Sequence, residues 1–405
     1  MAILNKDQFP YIMTTQAGVT GYNIVDYRKN TFMWHMLDWN ADSKDYWYCE
    51  IFHGNAFEVF DVNDIIPPDI LFKIKNDGKT FLYICNSHEA FLDIVAPLYK
   101  SLVIEEKIPA GKIIIANEAA DLNIEVKKYA DFMNLEYFNV HWITVFQAAT
   151  SITTNNLISN LRPLQTLDSN RTYTKRFLNF NRRWRLHRPT LVALMKAYNI
   201  LDKGLVSLGD CDDKSNWVKI YPWLKEYVSP NSELLSAIES VENEMLELPP
   251  LYLDTTNLIE NQAIMNLSSA YLYNESLISV ISETTFYTTG RAFNPARFLS
   301  EKTFKPVGYG HPFIMVSVPK SLELFRELGY KTFHPYIDES YDLELDDYKR
   351  MLKIIKEIKR ICDMTEDEVK EFIKCVKPIV EFNQELLLNK NKGRARYNNF
   401  FRKTL

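Results

Sequence analysis

Residues 76–116, NDGKTFLYICNSHEAFLDIVAPLYKSLVIEEKIPAGKIIIA, decide the fold class. Two apolar runs of strand length lie in this stretch, Thr80 to Cys85 and Lys112 to Ala116. Neither alternates apolar with polar residues, which is the pattern of a strand covered on both faces, as parallel strands between helical layers are. Asn76-Asp77-Gly78 reads as a turn into the first run and Pro109-Ala110-Gly111 as a turn into the second. Helical spacing from about Glu89 to Val103 joins the runs, and a further helix is expected from about Asp121 to Met133. Strand, helix, strand, helix in that order implies a parallel sheet.

Working outward, Pro67-Pro68 opens a helix over Asp69 to Lys75, and Asn139 to Val145 supplies a third strand. The first seventy residues, dense in aromatics such as Trp34, Trp39, Trp47 and Phe52, read as strands and short turns. Between Thr150 and Thr174 the sequence turns polar and irregular, the composition of a linker, so an N-terminal α/β domain is expected over 1–165. The pattern then restarts. Phe177 to Asn181 is a short strand, an Arg-rich turn follows, and Pro189 to Tyr198 has helical spacing with proline in its first turn. Leu277 to Ser282 and Pro312 to Val316 have strand character, and beyond Leu345 the chain is charged and helical to about Leu388. A second α/β domain is expected over 166–345, followed by helices and a basic tail over 346–405.

With 405 residues, 46% hydrophobic and 24% charged, the chain has the composition of a folded globular protein rather than a disordered one. It contains no unbroken apolar run of membrane-spanning length and no leader pattern at Met1 to Thr20, so a cytoplasmic location without a membrane segment is expected. Five cysteines, an odd number without CxxC spacing, fit free thiols in a reducing compartment. A formal net charge of -5 excludes a surface that binds polyanions as a whole. Basic residues nevertheless concentrate at two places, seven over 171–188 and six over 390–403.

Two segments carry the residue types of an anionic ligand site. Asn179 to Arg188 opens a helix just after a strand, where arginines Arg182, Arg183 and Arg188 can hold a diphosphate and a helix N-terminus offers N–H groups. The same residues also suit a solvated basic turn. Arg297 to Pro306, RFLSEKTFKP, followed by Gly310-His311-Pro312-Phe313, places a carboxylate beside a lysine at the head of a helix, with Glu283 and Lys305 nearby in sequence. Glu301 there suits ribose hydroxyls and Lys302 suits phosphate.

The phrase FLSEKTFKP (298–306), with GHPF (310–313) and LGYKTF (328–333), resembles the donor-binding half of fucosyltransferase-like and exostosin-like GT-B glycosyltransferases, especially bacteriophage-encoded members. The likeness runs from about Lys175 to Tyr341; the N-terminal half carries no such motif. Asp338 to Asp342 shares in it without a role attached, and also suits a helix cap. The resemblance implies two Rossmann-like domains facing across a cleft, a C-terminal helical segment, and a nucleotide-diphosphate sugar as donor with no cofactor or metal required. It assigns Arg182 or Arg183 to phosphate, Glu301 to ribose and Lys302 to phosphate; Arg188, Glu283 and Lys305 are further candidates for donor binding.

In such an architecture the base that takes the acceptor proton comes from the N-terminal domain. His88 and Glu89, after the strand ending at Cys85, are the candidates, with Glu118 after the next strand as the alternative. Glu89 suits equally a helix-starting carboxylate that complements the macrodipole. Asp210-Cys211-Asp212 has the Asp-x-Asp form of a metal-dependent transferase but also reads as an acidic turn. The seven histidines are dispersed and give no metal-ligand spacing. The acceptor expected is a hydroxyl: a hydroxymethylated base in phage DNA inside the host cell, or a glycan or lipid-linked sugar. The aromatic and basic residues over 389–405 suit either nucleic-acid contact or docking on the protein body. A noncatalytic nucleotide- or DNA-binding module of the same fold is the remaining alternative.

Overall fold

The computed structural model describes residues 11–13, 45–50, 66–86 (except 67 and 79), 92–142 (except 93), 144, 147, 150, 167–181, 185–209, 214–249, 251–253, 270–288 and 296–389. These fall into two compact units, the first drawing on the described residues up to 144 and on 296–298, the second on 147–288 and 299–389. Each is an α/β body built on its own all-parallel sheet.

The first sheet runs in sequential order, β1 (Tyr11–Met13), β2 (Asp45–Glu50), β3 (Thr80–Asn86), β4 (Ile113–Asn117) and β5 (Asn139–Trp142). Every residue of β4 is buried, which is why its sequence does not alternate: both faces are covered. Helix α1 (Pro68–Asn76) starts on proline, whose missing N–H costs nothing where helical N–H groups are unpaired anyway. The turn after it is held by Asp77, whose carboxylate accepts from the Thr80 N–H and hydroxyl, while Lys112 Nζ donates to the Asp77 carbonyl at 2.6 Å.

The connection from β3 to β4 is not the single helix expected from Glu89. Leu92 and Ile94 are outside helix, α2 is confined to Val95–Leu98, and the chain continues in wide π turns over Tyr99–Glu105. Pro97 lies in the short α-helical part, and the winding that follows buries the adjacent pairs Leu98 and Tyr99, and Ser101 and Leu102. Tyr99 stacks on Phe138 with ring centroids 3.9 Å apart and donates its hydroxyl to the Glu136 carbonyl at 2.9 Å. Burial pushes that phenol up to about 12. Helix α3 (Leu122–Met133) then ends on Asn134 in the left-handed conformation, φ 52°, a cap that asparagine tolerates better than most residues.

The second sheet has the order β7 (Gly204–Val206), β6 (Lys175–Asn179), β8 (Ser276–Ser282), β9 (Phe313–Val316). Strand β6 begins and ends two residues earlier than expected, so Phe180 and Asn181 lie beyond its carboxyl end rather than within it. Between β6 and β7, α4 (His187–Ala197) is buried over nine consecutive residues, His187 to Met195. Pro189 is its third residue, still inside the first turn where no intrahelical N–H is lost. The chain reaches β8 through α5 (Lys214–Val228), α6 (Ser232–Ser240), α7 (Glu242–Leu246) and α8 (Ala270–Glu275). Helix α9 (Glu301–Gly308) precedes β9, and α10 (Ser321–Glu327) follows it.

The charged C-terminal stretch forms two helices, α11 (Asp347–Cys362) and α12 (Glu366–Leu388). Helix α11 packs on β6, β9 and α4, and α12 packs on α9, so both belong to the second unit. Thr365 and Glu368 form a reciprocal capping box at the start of α12. No helix among the described residues is long and apolar enough to cross a membrane. Of the described cysteines, Cys362 is buried, its thiol pushed up to about 12 by that burial, and Cys375 is half-buried and likewise unpaired.

Asp338 to Asp342 stitches this unit together. Glu339 accepts from the Phe333 and His334 N–H groups, and the Tyr341 hydroxyl accepts from Met315 N–H in β9 at 3.2 Å. Asp342 caps α10 from outside it, accepting from Leu322 N–H at 2.9 Å and Glu323 N–H at 3.3 Å. Burial pushes its carboxyl up to about 6, against the pull of those two donors. The folded state therefore binds this proton more tightly than the unfolded chain. Its contribution is most favourable below about pH 4 and declines as pH rises through about 6. Between pH 5 and pH 7 the protein should lose about 1 kcal/mol of stability relative to Asp342→Asn. Parallel pH profiles for the two proteins in urea denaturation would refute this.

Candidate functional site

The order β7-β6-β8-β9 means that the chain leaves β6 for β7 on one side and then crosses to β8 on the other. Outside the carboxyl ends of β6 and β8 the connections diverge, and in open parallel sheets ligands bind in the crevice this creates. The described strands of the first sheet follow one another in sequence, so no such reversal occurs among them.

The carboxyl ends of β6 and β8 are lined with buried polar side chains. Asn179 donates Nδ2 to Val280 O at 2.7 Å and to Ser282 Oγ at 3.1 Å, bridging the two strands. Asn181 donates to Asn179 Oδ1 and to Ser207 O, and its carbonyl accepts from Gly209 N–H at 2.7 Å. Residues just past β8 are held from α4: Arg188 Nη2 donates to Ser282 O at 3.1 Å and Glu283 O at 3.2 Å, and His187 Nε2 lies 3.0 Å from Glu283 O. A carbonyl only accepts, so His187 carries its proton on Nε2. Burial pulls the Arg188 guanidinium down to about 10, with the Glu283 charge opposing that pull, so it is ionised at neutral pH.

Glu283, fully buried, is the junction of the site. Its carboxylate accepts from Ser300 N–H at 3.0 Å, Ser300 Oγ at 2.6 Å, Thr303 Oγ1 at 2.6 Å and Thr284 N–H at 3.3 Å. It thereby ties the N-cap and first turn of α9 to the end of β8. Ser300 in turn caps α9 by accepting from Lys302 N–H at 3.2 Å.

Glu301 and Lys302 lead α9 with side chains 24% and 28% exposed, the accessible members of this group. Lys302 Nζ lies 2.9 Å from Glu301 Oε1 and 3.2 Å from Ser300 Oγ. Burial disfavours the Glu301 charge, but the ammonium of Lys302 beside it, and more distantly that of Lys305, outweigh this and hold its carboxyl below the usual value. At neutral pH the first turn of α9 thus presents an ionised acceptor, the Lys302 cation and the N-terminal end of a helix dipole, with Lys305 in the turn behind it. That combination suits a ligand bearing both hydroxyls and an anionic group.

Of the sequence-predicted residues, the structure brings Arg188, Glu283, Glu301, Lys302 and Lys305 to one edge of the second sheet. Arg188 and Glu283 are buried and bonded to the chain's own groups, whereas Glu301 and Lys302 are accessible. Arg182, Arg183, His88, Glu89, Asp210 and Asp212, like the basic tail, lie outside the described residues. Among the described residues no group of three or more His, Cys, Asp or Glu is placed to hold a metal ion. Glu118 is buried in the first unit, beyond β4. Residues not assigned from sequence but central to the geometry are Asn179, Asn181, Ser282, Ser300 and Thr303. The one sequence signal for them was small polar residues directly after two apolar runs.

The chain matches no protein-family model and no curated relative. It is similar in structure to the UDP-forming α,α-trehalose-phosphate synthase of Burkholderia xenovorans, with a TM-score of 0.42 and 10% identity over 90% of this chain and 75% of the other. The corresponding Burkholderia vietnamiensis enzyme gives 0.43 and 11% over 90% and 73%. The Gap123 glycosylation-associated complex of Streptococcus agalactiae gives 0.32 and 11% over 90% and 57%. Likenesses this loose leave the function to be read from the site's own residues.

Proposed function

We propose that the chain is a glycosyltransferase of the two-domain GT-B type that moves a sugar from a nucleotide-diphosphate donor to a hydroxyl acceptor, without a metal. The observation that carries this reading is the strand-order reversal at β6 and β8, with the first turn of α9 anchored there by Glu283 and presenting Glu301 and Lys302. The resemblance of residues 298–333 to donor-binding segments supports it. In this reading Glu301 accepts bonds from ribose hydroxyls, and Lys302, with Lys305 and the arginines Arg182 and Arg183, neutralises the diphosphate. The bond between the sugar's anomeric carbon and the diphosphate oxygen breaks, a bond to the acceptor oxygen forms, and the acceptor proton passes to a base. Glu89, with His88 beside it, is assigned that role. The nucleoside diphosphate departs with its charge met by the cations. For the acceptor, a hydroxymethylated base in phage DNA is the narrower reading, supported by the phage-type likeness and by the two basic clusters of the sequence, over 171–188, of which Arg188 is buried, and over 390–403.

The test is a thermal-shift series of the full chain with UDP, GDP, CDP and dTDP, with and without EDTA. One diphosphate should stabilise the protein by mass action, and EDTA should leave the shift unchanged. Lys302→Ala should weaken that ligand by about 10–100-fold, the loss of a charge-assisted hydrogen bond, while the unliganded melting temperature stays within about 2 °C. Absence of any shift with all four diphosphates would overturn the donor reading.

A further inference from the structure

We infer that Asn181 is a specificity-determining residue whose side-chain carbonyl accepts a hydrogen bond from a hydroxyl of the donor's sugar part; the inference rests on the donor reading above. Asn181 lies two residues past β6, beside the strand-order reversal, and is 1% exposed.

Its orientation follows from backbone atoms that can only accept. The Asn179 side-chain atom 2.7 Å from Val280 O must be its nitrogen, so Asn179 turns its oxygen toward Asn181. Asn181 must answer with its own nitrogen, which also donates to Ser207 O at 3.1 Å. A flipped amide would set oxygen against oxygen at both contacts. Asn181 Oδ1 is therefore locked as an acceptor, and it is buried with no hydrogen-bond partner among the described residues. Burying an amide oxygen without a donor is unfavourable, and native structures rarely retain one without a use. Its backbone is equally fixed, Asn181 N–H donating to Ser207 Oγ at 3.3 Å and its carbonyl accepting from Gly209 N–H. The hydroxyl of Thr285, past β8 on the other strand of the reversal, is likewise buried without a partner among the described residues.

The chemistry of the group Asn181 awaits is set by its sign. An amide oxygen repels phosphate oxygens and bonds O–H or N–H, so this position does not hold the diphosphate, and we assign it a sugar O–H. The hydroxyl belongs either to the ribose or to the transferred sugar.

The test is titration calorimetry of the full chain with the diphosphate that binds, its 2′-deoxy and 3′-deoxy forms, its UDP-hexose or equivalent sugar conjugate, and inorganic pyrophosphate. Asn181→Leu should weaken the hydroxyl-bearing ligand about tenfold and leave pyrophosphate unchanged. Loss of discrimination between the ribo and deoxy forms in the variant assigns the ribose. Loss seen only with the sugar conjugate assigns the transferred sugar. If Asn181→Leu does not fold, the unsubstituted chain decides: either the ribo diphosphate should bind about tenfold more tightly than its deoxy forms or the sugar conjugate about tenfold more tightly than the diphosphate alone, and equal binding of all of them overturns the inference. Equal weakening of pyrophosphate and sugar ligands, or no weakening at all, overturns it while leaving the donor reading in place. No binding of any diphosphate to the unsubstituted chain overturns both.

Discussion

Replacing Arg350 with methionine is expected to lower the stability of the second unit by about 3–5 kcal/mol. Arg350 is 1% exposed on α11, and its guanidinium is the hub of the carboxyl-end loops of β8 and β9. Nε donates to Ser317 O at 3.1 Å, Nη1 to Glu344 O at 2.9 Å, and Nη2 to Phe286 O and to Asp347 Oδ1, with the guanidinium 4.4 Å from the Phe286 ring centroid. Asp347 is buried too, and accepts from Thr288 N–H and hydroxyl. Removing the cation leaves a buried carboxylate without its counter-charge and several carbonyls without donors, and such uncompensated groups dominate the cost. Arg350→Lys should recover only part of the loss, because one ammonium cannot reproduce a planar fork that reaches three loops. Urea denaturation at neutral pH measures both; a loss below about 1 kcal/mol in Arg350→Met would refute the hub.

Glu283→Ala is the second large effect, and its signature is double. Four donors lose one carboxylate, so a loss of about 3–4 kcal/mol is expected, together with release of the first turn of α9 from β8. Donor affinity should fall at least as far as in Lys302→Ala, although Glu283 itself is buried and bonded to the chain. Glu283→Gln keeps the shape and one acceptor oxygen and should lie between. A direct ligand contact would show otherwise: binding lost with the melting temperature unchanged. That result would return Glu283 to the donor-contacting set.

Much of the architecture was legible because burial periodicity is a local property. The uninterrupted IIIA of β4, the seven buried residues of β8 and the amphipathic runs of α11 and α12 each declare what covers them. Where local reading slipped, a local geometry had changed without changing composition: the π turns at Tyr99–Glu105 keep an apolar sequence while altering the period that identifies a helix. The end of β6 was misplaced for a related reason, since Phe180 and Asn181 continue the alternation past the last paired residue.

The candidate site divides along the same line. Glu301 and Lys302 were readable as a pair because they are adjacent and open a helix. The meaning of Glu283 was not, since its partners Ser300 and Thr303 lie 17 and 20 residues away. Arg350 meets Phe286 across 64 residues, and Asn179 meets Val280 across 101. By itself the sequence determined the α/β class, the segments bearing β3, β4, β6, β8 and β9, and the charged pair at the head of α9, but not β7. Only the tertiary structure decided the strand order that creates the crevice, which carboxylate is scaffold, and which way the amide of Asn181 faces. Apolar burial depends on a residue's own side chain and its near neighbours, whereas the role of a buried polar atom depends on partners that chain folding brings from anywhere.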